Sequence, residues 1–149
     1  MMALHIGETE RLLSFAIQAL LTNPATEGDK VGVIGFCMGG QLSLYAACSN
    51  PSIGACVDCY GIHPSVQPAL RALNGPVLGI FAENDVYASP EQVNALNEEL
   101  TLLDKPHEFI TYPGIDHAFF NDTRPEVYND AAAQTAWART VAFLRDHLG

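Results

Sequence analysis

Apolar positions fall at two different spacings along the chain. Between Glu8 and Leu21 the spacing is helical, with Leu12, Phe15, Ala16 and Ala19 on one face. Asn23, Pro24, Gly28 and Asp29 end that pattern. Val31–Phe36 is a short apolar run that predicts a strand, and Met38–Cys48 fits a helix packed closely against it. Ala55–Tyr60 and Val77–Ala82 predict two further strands, the second preceded by Gly75-Pro76. Pro90–Leu103 predicts a helix with Ser89 as its cap and Pro90 in its first turn. His107–Tyr112 predicts a fourth strand, and Pro125–His147 a long final helix.

Three of these four strands are mainly apolar runs rather than alternating ones. Such runs are buried on both faces, so the pattern predicts an α/β fold of about four parallel strands flanked by helices. No repeat or composition break divides the chain, and residues 1–149 are expected to form a single domain. Hydrophobic residues make up 48% and charged residues 16%, which excludes a disordered chain. No run of about 18 apolar residues is present to cross a bilayer. The segment Met1–Arg11 lacks the pattern of a secretion signal, so a cytoplasmic location is the default expectation. A formal charge of -10 gives no basic footprint for a nucleic acid.

Cysteine usage narrows the chemistry. Cys56 and Cys59 have the spacing of half a zinc knuckle, but no second pair completes it. No metal or cofactor is expected, and Cys48, Cys56 and Cys59 read as buried, reduced thiols. Cys37 differs, because it ends an apolar strand inside the glycine-rich stretch GFCMGG. In G-x-C-x-G, Gly35 and Gly39 flank a point where the chain would reverse from strand into helix. That turn exposes the sulfur beside a helix amino terminus, which favours an anion. The backbone N–H of Met38 can face a developing oxyanion. Two more unusual loops, FAENDVYAS and YPGIDHAFFNDTRP, follow the third and fourth strands. In a parallel sheet all three loops emerge at the same end, where ligands bind. Cys37, Asp85 and His117 can converge there as nucleophile, orienting carboxylate and base. Glu83 competes with Asp85 for its role, while Asp116 and His63 read as loop residues. The GFCMGG loop lacks the lysine of a phosphate-binding loop.

GFCMGG, the order Cys37–Asp85–His117 and the loop YPGIDHAFFND together resemble the dienelactone hydrolase (carboxymethylenebutenolidase) family of the α/β-hydrolase fold. The resemblance spans essentially the whole chain but only the later part of the family's domain. It implies that Cys37 is the nucleophile, His117 the base and Asp85 the orienter. It further implies that Met38 supplies one oxyanion-hole amide and that Tyr60 lies near the substrate pocket. The implied reaction is hydrolysis of a small ester or enol-lactone through an acyl-thioester, without a cofactor. The alternative is a truncated relative with weak or no turnover, acting as a structural or small-molecule-binding protein. A redox role for Cys37 is a third reading. The sequence departs from the family's pattern in two ways. A substrate-gripping arginine is replaced by Asn121, and Arg124 lies three residues further on. Only one helix precedes the nucleophile strand, and Glu8 and Glu10 lie in the wrong element to replace the family's glutamate. The strand VGVIGF then becomes an uncovered sheet edge, which predicts a homodimer or higher oligomer.

Overall fold

A computed structural model describes residues 5–149. The chain runs α1 (Ile6–Leu21), β1 (Val31–Phe36), α2 (Met38–Ser49), β2 (Ile53–Cys59), a 3-10 turn (Leu70–Ala72), β3 (Val77–Ala82), α3 (Pro90–Leu102), β4 (His107–Tyr112) and α4 (Asp130–Leu148). The strands form one parallel sheet in the order β1-β2-β3-β4. The two central strands are almost wholly buried, whereas β1 and β4 are largely half-buried edges. This matches the expected four-stranded α/β arrangement, with VGVIGF at an edge.

Alternate residues of each strand serve opposite faces of the sheet. Ala55, Val57, Cys59, Leu78, Ile80 and Ala82 pack under α4 through Ala132, Ala136 and Phe143. Ile53, Cys56 and Val77 belong to the other core, with Leu44, Ala47, Leu70 and Leu100. Cys56 and Cys59 therefore point into different cores and do not act together. Arg139 of α4 donates from Nε and Nη2 to the two carboxylate oxygens of Glu108 of β4, which ties the helix to that edge.

The structure differs from three expectations and adds one short element. The final helix starts at Asp130 rather than Pro125, because the Asn129 side chain accepts from the Ala132 N–H and caps it. The second strand begins at Ile53, two residues earlier than its apolar run suggested. The short turn at Leu70–Ala72 left no signal in the hydropathy pattern. In α1 the predicted apolar face is the outer one: Leu12 is 58% and Phe15 63% exposed. The helix instead packs through Ile17, Leu13 and Leu21. The hydroxyl of Tyr45 donates to Glu10 Oε2 at 2.9 Å, which fixes that choice of face.

Asp58 is an unusual occupant of β2. It is fully buried, and its Oδ1 accepts from the Gly61 N–H at 2.8 Å, while Oδ2 has no partner. Burial pushes its carboxyl well above the ordinary range, against the lowering effect of the Gly61 bond. The folded chain thus holds this proton more tightly than the unfolded chain, and stability falls as pH rises above the ordinary carboxylate range. Asp58→Asn is expected to raise the melting temperature at pH 8, with the gain shrinking towards pH 5. Thermal melts of both proteins across that interval check this.

Candidate active site

The site begins at the junction of β1 and α2. Cys37 is the N-cap of α2 and sits at φ 56°, ψ -125°, a conformation that L-residues rarely adopt. Its N–H donates to the Cys59 carbonyl at 2.9 Å, and its own carbonyl accepts from Gly40 at 2.9 Å. The chain is thus pinned on both sides of the cysteine, whose side chain is left exposed. The reversal brings α2 against its own strand: a Cβ on Gly35 would run into the Gly39 carbonyl. A Cβ on Gly40 would meet Asp58 Oδ1 and the Cys59 carbonyl. Gly39, which the motif singled out, has open space around it. The close approach therefore requires Gly35 and Gly40 and leaves Gly39 free. Met38 is the first residue of α2, so its N–H has no carbonyl in a preceding turn to bind.

The loops after β3 and β4 are laced together. Asn84 N–H donates to the Ile115 carbonyl at 2.9 Å, and Gly114 N–H donates to Glu83 Oε2 at 2.7 Å. That second bond commits Glu83 to the loop and separates it from the histidine. Asp85 Oδ2 instead faces His117 Nδ1 at 2.6 Å. The other oxygen, Oδ1, accepts from the N–H groups of Tyr87 (2.7 Å) and Ala88 (3.0 Å). Burial alone would raise this carboxyl, but the bonds from His117, Ala88 and Tyr87 outweigh it and hold the group below its ordinary value. Asp85 is thus held ionised, and its partner atom Nδ1 carries the hydrogen of the shared bond. The imidazole packs against two aromatic rings, Tyr60 at 4.9 Å and Tyr87 at 5.0 Å between centroids, both edge-on.

Cys37 and His117 border the same cavity of about 320 Å³, with Met38, Tyr60, Tyr87, His63 and Arg124 also on its wall. The three candidate catalytic residues, Met38 and Tyr60 are therefore gathered at one place. Tyr60 lies just after β2, which ends at Cys59 rather than at Tyr60 as its apolar run suggested; it sits at φ 44° and is buried, and burial pushes its phenol up. Arg124 reaches the cavity wall because the chain turns twice after His117, through Asn121 N–H to the Ala118 carbonyl and Arg124 N–H to the Asn121 carbonyl. Asn121 itself points its Oδ1 at Thr123, accepting from both its N–H and its hydroxyl.

Three wall residues were absent from the sequence reading of the site. Tyr87 carries a signal in retrospect, since a residue two places after an aspartate often donates its N–H back to that carboxylate. His63 was read as a loop residue, and its Nδ1 does accept from the Ser65 N–H at 3.2 Å, yet its ring borders the cavity. Ile62 gave no signal at all. Cys48, Cys56 and Cys59 lie buried in packed clusters. Burial pushes the Cys48 thiol up to about 11, and it raises the other two as well.

The model of the dienelactone hydrolase family matches residues 3–148. The chain belongs to the dienelactone hydrolase family. It is 36% identical over 124 residues to protein usf of Aquifex pyrophilus, covering 83% of this chain and 54% of that protein. It is also 36% identical over 139 residues to a Saccharolobus solfataricus protein named provisionally as a carboxymethylenebutenolidase, covering 91% of this chain and 52% of that one. The chain thus spans about half the length of these relatives. Among solved structures, a Klebsiella pneumoniae protein provisionally named a dienelactone hydrolase superposes with a TM-score of 0.78 at 26% identity, over 94% of this chain and 60% of that one. A dienelactone hydrolase-like promiscuous phosphotriesterase from metagenomic libraries shares the fold, with a TM-score of 0.83 at 20% identity, over 97% of this chain and 64% of that one.

The glycine geometry gives a sharp test of this family member's turn. Gly35→Ala is expected to lose folded protein, because the clash is with backbone that cannot move aside. Gly39→Ala is expected to stabilise by up to about 1 kcal/mol, since an alanine replaces a helical glycine in open space. Urea unfolding of the two variants beside the parent measures both effects.

Proposed function

We propose that this chain is a thiol hydrolase of small esters or lactones. The observation that carries the reading is the Asp85–His117 hydrogen bond beside an exposed Cys37 on a strained strand-to-helix turn. The names of several relatives support the substrate class: one, from Bradyrhizobium, is named provisionally as a 2-oxo-3-(5-oxofuran-2-ylidene)propanoate lactonase.

Each residue has one task in this reading. His117 takes the thiol proton of Cys37 at Nε2 while Asp85 stabilises the imidazolium through Nδ1. The sulfur attacks the carbonyl carbon, a C–S bond forms, and the carbonyl electrons move onto oxygen beside the Met38 N–H. The C–O bond to the leaving group then breaks, and His117 returns the proton to that oxygen. Water, deprotonated by the same imidazole, attacks the thioester. The C–S bond breaks, and the carboxylic acid and the thiol are released. No redox step or external co-reactant is needed.

The second reading, a family member with weak or no turnover, draws on the match to only about half of its relatives' length. Turnover decides between the two. Hydrolysis of an activated ester is expected to vanish in Cys37→Ala. It is expected to fall about 10³-fold or more in Asp85→Asn, which leaves the imidazole with the wrong tautomer. Equal rates for parent and Cys37→Ala, with both folded, would leave the residues as ancestry without turnover.

Two further parts of the reading concern the molecule's surroundings. Among the described residues no helix is long and apolar enough to cross a membrane. Four unpaired thiols suit a reducing compartment such as the cytoplasm. The free β1 edge and the outer face of α1, with Leu12, Phe15 and Leu20 exposed, suit burial against a second copy. Light scattering at micromolar concentration is expected to give at least a dimer, and Phe15→Glu to weaken it. A monomeric mass for the parent chain would remove this part of the reading.

A further inference from the structure

The cleft around Cys37 has two unlike halves that meet at Cys37, Tyr60 and Ala118. One is the cavity of about 320 Å³ that holds His117, Met38 and Arg124. The other, of about 430 Å³, is walled by Phe36, Phe120 and Trp137, with Asn121 as its polar member. Phe36 and Phe120 meet edge to face at 5.3 Å, so this wall is a built aromatic surface rather than scattered side chains. Asn121 Oδ1 is already used by Thr123. Tyr60 holds its proton, because burial pushes its phenol up. The second half thus presents no charge apart from the nucleophile itself.

The chemistry assigns the halves. His117 must return its proton to the leaving oxygen, so the departing group lies on the His117 side of the reacting carbonyl. The acyl substituent leaves the same carbon in a different direction. We propose that the aromatic half receives an apolar acyl group while the His117–Arg124 half receives the departing alcohol. The preferred substrates are then open-chain esters with a medium-length or aromatic acyl chain. The inference rests on the thiol-hydrolase reading and adds the identity of the substrate's two ends. Methylenes placed against the partly open aromatic wall favour the longer acyl chain.

The test compares 4-nitrophenyl acetate with 4-nitrophenyl hexanoate, which share one leaving group. In the parent chain kcat/KM is expected to favour hexanoate about tenfold. Trp137→Ala, at a position 51% exposed on α4, is expected to cut that ratio severalfold, and Phe36→Ala likewise. Trp137→Phe, which keeps an aromatic wall, is expected to retain most of it. Arg124→Ala is expected to act instead on the ratio between acetates of a carboxylated and an uncarboxylated phenol. Turnover with no preference for hexanoate overturns this inference and leaves the hydrolase reading standing. So does a Trp137→Ala effect on the leaving-group ratio alone. Absence of Cys37-dependent turnover on every ester overturns both.

Discussion

The close passage of α2 over the end of β1 is the constraint on which the rest of this structure depends. Hydrogen bonds to the Cys59 carbonyl and from Gly40 hold the chain on either side of Cys37. Two missing side chains, at Gly35 and Gly40, make the passage sterically possible. The cysteine then takes up a positive φ that its own side chain disfavours. Strain of this kind costs of order 1–3 kcal/mol and persists only where the surroundings enforce it. Here the enforcement comes from β2 next door, which is buried along almost its whole length. The sheet's core therefore holds the sulfur outward, and the helix amino terminus arrives beside it as a consequence.

The histidine is placed by a different device. It stands on a long loop, and loops alone position side chains loosely. Backbone bonds between the loops after β3 and β4 remove that freedom, and Asp85 is itself fixed by two amides before it meets the imidazole. Two tyrosine rings then pack against the imidazole. The electrostatic result follows from this order of assembly. A buried carboxylate keeps its charge because three donors converge on it. Asp58, buried with a single donor, is driven towards its neutral form. The same residue type in two places thus behaves oppositely, according to how deeply it is desolvated and how many donors reach it.

The β1 edge joins the question of the pocket to the question of partners. Phe36 at the end of β1 lines the aromatic half of the cleft, and the outer face of α1 adds exposed apolar surface. A chain of formal charge -10 that leaves such surface uncovered sets repulsion against hydrophobic burial. The family relatives matched here are about twice as long. Burial of this side is thus the point at which the architecture of this chain and that of its relatives are to be compared.

The sequence by itself determined the element order and the parallel sheet, and it marked Cys37, Asp85 and His117 as candidates at one end of that sheet. These depend on local facts: an apolar run long enough for a strand, a cap before a helix, and chemically unusual residues after strands. Where a signal was local the boundaries agreed closely, as at Ser89, whose capping box with Gln92 starts α3. Tertiary structure decided what local signals leave degenerate. Helix α1 has two apolar stripes, and only contact with Tyr45 and the α2 core selected Leu13, Ile17 and Leu21. The motif contains three glycines, and only the path of α2 over Asp58 and Cys59 showed that Gly35 and Gly40 are the required ones. His63, Tyr87 and Arg124 came to the cavity through turns whose direction no spacing in the chain records. A periodic pattern says which residues can share a face, but the neighbour that buries the face is supplied by segments far away in the chain.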